Sequence, residues 1–168
     1  EELAAFRATM VDLAGQQNMV SLLRAIVERS LSLLKAPRGF IYLYDPTNND
    51  LELIVEQGLP VTPGYRLKLG EGMAGKVAQT RKMIIVDDYR TWKGRSAIFD
   101  QIPYHSVIEV PMLYGGQLIG VLGVNDSDEV ERKFTEEDGQ LLSLFAGQAA
   151  SAVHNARLVQ GLQLELSE

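Results

Sequence analysis

Glu109 is the residue on which any chemistry in this chain turns. It sits in SVIEVPMLYGGQLIGVLGVN, residues 106–125, where most other side chains are apolar. A carboxyl among apolar neighbours is costly unless it finds a partner or keeps its proton. The segment reads as two strands joined by Gly115-Gly116, a two-residue turn whose glycines tolerate positive φ. A regular hairpin of that kind sets Tyr114 opposite Gln117, Met112 opposite Ile119, Val110 opposite Val121 and Glu109 opposite Leu122. One face then carries Ile108, Val110, Met112, Ile119 and Val121, and the other Val107, Leu113, Leu118, Leu122 and Val124. Both faces are apolar, which predicts a mid-sheet position with cover on both sides.

Three further groups of residues carry chemical potential. GEGMAG, residues 70–75, satisfies G-x-G-x-x-G between a strand and a helix, the outline of a dinucleotide-binding turn. The outline fails on its surroundings. The helix has room only for residues 72–80, the preceding YRLKL carries two basic residues, and no β-α-β repeat follows. What remains is a helix start that either meets an anionic group or is capped by Glu71, and the cap is the expected use. Residues 89–104, YRTWKGRSAIFDQIPY, hold the only Trp together with arginines and aromatics. Such a loop covers a pocket or lies on the surface, and the lid is the preferred reading. Phe40, Tyr42 and Tyr44 share one strand face, with phenol hydroxyls suited to a polar-lined cavity or to the sheet rim.

The composition removes other chemistries. The chain has no Cys, so it offers no disulfide, thiolate metal site, thiol nucleophile or thioether-linked cofactor. Two His residues leave zinc without a ligand set. A net charge of −6 opposes binding to a phosphate backbone, so no nucleic-acid partner is expected. No apolar run reaches spanning length, so no membrane insertion by this segment is expected. The missing cysteines suit a cytoplasmic location, and a first residue other than Met reads as a piece of a longer chain.

The elements that must position these residues fit one domain, 1–168, of the α+β class. Helices are expected over residues 1–14 and 19–35, separated by Gly15-Gln16-Gln17-Asn18, followed by a sheet and pocket region over 39–134. Strands read at 40–44, 51–57, 65–69 and 83–86 besides the hairpin. Residues 135–167 form a long helix, with Thr135 and Asp138 placed as a capping box. Its row Leu142, Phe145, Ala149, Ala152, Ala156, Val159, Gln163, Leu166 alternates three- and four-residue spacings, the seam of a coiled coil, and predicts a homodimer through the N- and C-terminal helices. His154 reads as a surface or interface residue rather than a ligand.

RGFIYLYD, GEGMAGKVAQTRKMIIVDDY, the hairpin and FTEEDGQLLSLFAGQAASAVHNARL together resemble a GAF domain over nearly the whole chain. The resemblance implies a central antiparallel sheet of five or six strands. Terminal helices cover one face, and loops and short helices enclose a ligand cavity on the other. It implies a non-catalytic sensory domain in a signalling protein, for instance a sensor histidine kinase of a two-component system, with a downstream effector in the same chain. The family's pocket wall falls on Phe40, Tyr42, Gln57, Met73, Ala74, Tyr89 and Glu109, with Trp92, Arg95 and Phe99 on its lid. Cyclic-nucleotide members carry Asn-Lys, then Phe, then Asp-Glu. Here Asp126 follows Asn125 and Gly139 follows Asp138, so that signature is incomplete. Covalent bilin members and the sulfoxide reductases of this fold need cysteine, so the resemblance points to a non-covalent small molecule of open identity, or to a ligand-free dimerisation and relay module.

Overall fold

The computed structural model of the chain describes residues 2–95, 104–127 and 132–167. The elements run α1 (Glu2–Leu34), β1 (Arg38–Asp45), β2 (Asp50–Gln57), β3 (Arg66–Lys68), α2 (Gly72–Thr80), β4 (Ile84–Val86), a 3-10 turn (Tyr89–Thr91), β5 (Tyr104–Tyr114), β6 (Gln117–Ser127) and α3 (Glu136–Ser167). Six strands form one sheet in the order β3-β2-β1-β6-β5-β4, with antiparallel neighbours throughout. The fold class is therefore the expected α+β arrangement.

α1 is continuous, where the sequence predicted a break at Gly15–Asn18. Only the glycine in Gly-Gln-Gln-Asn is a poor helix former, and it costs about 1 kcal/mol against Ala. Gly15 also lies against α3, where an added Cβ would come 3.1 Å from Gln160 Nε2. The bare position lets the two helices approach. α1 ends where Lys35 turns left-handed (φ 53°) and Ala36 N–H donates back to Leu31 O, just before Pro37. α3 opens on the predicted capping box. Thr135 Oγ1 accepts from Asp138 N–H at 3.1 Å, and Asp138 Oδ2 accepts from Thr135 N–H at 2.9 Å.

The sheet separates two apolar layers. Leu23, Ile26, Val27 and Leu31 of α1 and Leu142, Ala146, Ala149 and Val153 of α3 cover Ile41, Leu43, Ile108, Val110 and Met112. Phe40, Tyr42, Leu51, Leu53 and Val107 face the other way, onto Met73, Ala74, Val77 and Ala78 of α2. Part of the α3 row expected to bind a second chain is thus taken up within the fold: Leu142 and Ala149 are fully buried, whereas Val159 is half exposed.

The hairpin departs from the regular register. Leu113 pairs with Leu118 and Tyr114 with Gln117, but Met112 faces Gly120, Val110 faces Leu122 and Glu109 faces Gly123. Ile119 is the extra residue of a bulge. Beyond it every side chain of β6 changes face, so Leu122 and Val124 join the helix layer and Val121 joins the α2 layer.

The GEGMAG glycines serve geometry. β3 and β4 lie at opposite edges of the sheet, so α2 crosses beneath it rather than linking adjacent parallel strands. Gly70 and Gly72 take positive φ, and a Cβ on Gly75 would stand 2.5 Å from Lys68 O. Glu71 occupies the N-cap position of α2, but its side chain makes no capping hydrogen bond, contrary to expectation. Its backbone carbonyl accepts the first helical bond, from Gly75 N–H.

Candidate functional site

Glu109, Gly123 and Phe40 form a row across β5, β6 and β1. A Cβ on Gly123 would fall on the Phe40 ring and within 2.8 Å of Glu109 Cγ. Glycine at this position lets the two flanking side chains lean together over a bare stretch of sheet. Phe40 meets Tyr42 edge-on, with ring centroids 5.4 Å apart. Gly72, Met73 and Ala74 of α2 and Tyr89 of the 3-10 turn form the opposing wall, and Leu59, Leu67, Val107 and Asn125 complete it.

The space between these walls is small. Centres of water-sized spheres sweep about 30 Å³ there. One water needs roughly 10–15 Å³ on that measure, so the cavity holds about two or three molecules of that size. Its wall is mainly apolar, and Glu109 is its acid. The residue is only 5% exposed, and Oε1 has no hydrogen-bond partner. Burial raises its pKa from 4.5 to about 8, so the group is a neutral acid at pH 7. Asn125 Oδ1 accepts from Arg38 Nε at 3.0 Å, which ties that guanidinium to the cavity wall.

Of the residues singled out in the sequence, Phe40, Tyr42, Met73, Ala74, Tyr89 and Glu109 line this one cavity. Gln57 does not join them. β2 carries an extra residue, Ile54, between the partners of Ile41 and Tyr42. The bulge sends Val55 to the helix layer while Leu53 stays on the α2 side, and leaves Gln57 exposed at the strand end. Trp92 lies one layer out, tilted against Tyr89 with centroids 5.8 Å apart and under Lys76 Nζ at 5.0 Å. Arg95 is exposed and donates from Nη1 to Arg90 O at 3.0 Å. Phe99 lies outside the described residues.

Leu59, Leu67, Gly72, Val107 and Asn125 were not named as site residues. Leu67 and Val107 carried a signal, since Leu67 alternates with Arg66 and Lys68 and Val107 shares parity with Glu109. Asn125 did not, because its facing depends on the Ile119 bulge. Of the partial nucleotide signature, Asn125 lines the cavity and the rest serves the fold. Arg132 pairs with Asp126 at 3.5 Å and covers the Phe134 ring, while Asp138 caps α3. Among the described residues no His, Asp or Glu cluster could hold a metal ion. No helix among the described residues is long and apolar enough to cross a membrane.

Two contacts join the cavity's α2 wall to α3. Arg81, left-handed at the end of α2, donates from Nη1 to Gly116 O in the hairpin turn at 2.6 Å. Next to that turn Tyr114 stacks on His154 of α3, with centroids 4.0 Å apart and an 18° angle between planes.

Comparison with solved structures gives the same architecture in proteins of diverse roles. The GAF domain of a phosphoenolpyruvate-protein phosphotransferase from Coxiella burnetii superposes with a TM-score of 0.77 at 22% identity, covering 94% of this chain and 98% of that one. A free methionine-R-sulfoxide reductase from Neisseria meningitidis, solved with its substrate, gives 0.72 at 21% identity over 95% and 94%. A methyl-accepting chemotaxis protein segment gives 0.71 at 24% identity over 89% and 98%. At these identities the likeness shows the fold alone. The sequence carries the rest: the family model described as GAF domain matches residues 16–154, from the middle of α1 to His154, and the chain belongs to that family.

Proposed function

We propose that this GAF domain is a non-catalytic sensory module of a signalling protein, which binds a small molecule beside Glu109 and reports occupancy through α1 and α3 to an effector in the same chain. The observation that carries this reading is the buried carboxyl with an unpartnered oxygen in the wall of a small, mainly apolar pocket. An acid kept there at a cost to stability is the mark of a group held for a ligand. Phe40, Tyr42, Met73, Ala74, Tyr89 and Glu109 are the proposed contacts, with Trp92 behind Tyr89. Without cysteine, the chain has no thiol for sulfoxide reduction.

The test uses the single Trp. A panel of amino acids, nucleotides, small amines and small neutral amides is scored by melting temperature and Trp92 emission. A true ligand raises the first and changes the second, and Glu109→Gln removes both responses. A panel without any response would sink the proposal. The route to α3 has its own expected outcome. Tyr114→Ala keeps ligand binding within about threefold but abolishes the ligand-induced change in amide exchange over residues 150–160. In this proposal the signal passes from α2 through the Arg81–Gly116 contact to the hairpin turn, and from there through the Tyr114–His154 stack to α3.

A second reading, a ligand-free dimerisation module, is favoured by exposed apolar residues near the free ends of the long helices. Leu3 and Phe6 of α1 and Leu158 and Val159 of α3 are all more than half exposed. Sedimentation equilibrium distinguishes the two. A dimer broken by Phe6→Glu, with no ligand response in either form, supports this second reading.

A further inference from the structure

Three properties of the cavity select a chemical class of ligand, given its reading as a ligand site, on which this inference rests. The first is a buried carboxyl with no cation to balance it once it ionises. Glu109 has no basic partner among the described residues: Arg38 is tied to Asn125, and Lys76 lies over Trp92. The second is the aromatic lining, Phe40, Tyr42 and Tyr89, whose ring faces attract cations in a desolvated site. The third is size, with about 30 Å³ for the centres of water-sized spheres.

We propose that this cavity takes a small organic ammonium ion, its charge against the Glu109 carboxylate and its remaining surface against the rings of Phe40, Tyr42 and Tyr89. A hard metal cation does not fit as well. It needs about six oxygen ligands, whereas the wall supplies one carboxyl, phenols, and an amide whose oxygen is already engaged. An ammonium ion needs fewer fixed oxygens and gains from the rings. The volume favours ammonium and methylammonium over bulkier amines. Tetramethylammonium requires the α2 wall to move.

Binding then competes with a proton. Among the described residues, the titratable groups facing Glu109 are the phenols of Tyr42 on β1 and Tyr89 in the 3-10 turn. The walls from α2, β3 and β6 contribute Met73, Leu67 and Asn125, which do not titrate. Phenols lose their protons near pH ~10, above the relevant range. With Glu109 titrating at about 8, methylammonium binds roughly 50-fold more tightly at pH 8 than at pH 6 and releases one proton per ion at the lower pH.

The experiment titrates the chain with methylammonium chloride, potassium chloride at equal ionic strength, tetramethylammonium chloride, methanol and acetamide. Readouts are melting temperature, Trp92 emission and calorimetric proton release. Methylammonium alone is expected to give a full response, lost in Glu109→Gln. Phe40→Leu, which keeps the acid and removes one ring, weakens it by roughly three- to thirty-fold. An equal response to potassium, or a response that survives in Glu109→Gln, overturns the inference. If acetamide or methanol binds and the amines do not, the ammonium inference falls while the sensory reading stands. If these probes and the wider panel all fail, both fall.

Discussion

A domain carrying Glu109→Gln is expected to lack a pH-dependent loss of stability that costs the parent about 4 kcal/mol between pH 5 and 9. The unfolded chain releases the Glu109 proton near 4.5, and the folded one retains it up to about 8. Between those values the folded state binds one more proton than the unfolded state. Raising the pH therefore draws the equilibrium toward unfolding, by about 1.4 kcal/mol per unit. The slope ends above pH 8, where the carboxyl is ionised in both states and the penalty is complete. Glutamine keeps the shape and titrates in neither state, so it removes the slope. Urea unfolding midpoints of both proteins, measured at unit pH steps, isolate the effect because all other groups cancel in the difference. Parallel curves would show that Glu109 ionises in the folded protein as it does in water. A bound ammonium ion would flatten the parent's curve above pH 7, which links this measurement to the proposed ligand.

The sequence exposed this acid because composition and parity needed no tertiary knowledge. Residues 106–125 are apolar on both faces, so one carboxylate among them had to be buried somewhere. Parity likewise separated Ile41 and Leu43 from Phe40 and Tyr42, and the structure keeps that division. The tyrosines divide between the two uses open to them. Tyr42 is buried in the cavity wall, and Tyr44 reaches the rim, where its hydroxyl donates to Asn49 Oδ1 at 2.6 Å.

Where sequence reasoning failed, one physical cause recurs. Strand periodicity holds only until a residue is inserted, and neither Ile54 nor Ile119 differs in type from its neighbours. Each bulge inverts the facing of the strand residues beyond it, which excluded Gln57 from the cavity and brought Asn125 into it. Helix continuity was hidden for a related reason. Gly15 looks like a breaker in isolation, and only the approach of Gln160 from a helix more than a hundred residues away gives it a use. Both features depend on partners across the fold, to which local patterns are blind.

The bulge residue pair yields the other large expected effect. Gly120→Ala should destabilise the domain by about 3 kcal/mol or more, and its cavity response should disappear with the fold. Gly120 pairs with Leu43 on one side and Met112 on the other, next to the inserted Ile119. A Cβ there would fall on the Tyr42 carbonyl oxygen and lie 3.3 Å from Leu43 Cα. These are backbone atoms of a central strand, which no rotamer change can move aside. Relief requires β1 and β6 to separate where the sheet carries both Tyr42 and the register of Glu109. The same substitution at Gly147 or Gly161 of α3 meets nothing within 4 Å. There it should instead stabilise, by up to about 1 kcal/mol, because Ala is the better helix former. Thermal unfolding of the three variants side by side tests the contrast. If Gly120→Ala melts within a degree or two of the parent, the strands have an easier way past each other than this bulge allows, and the register that sets Glu109 over Gly123 is then not fixed by that close contact.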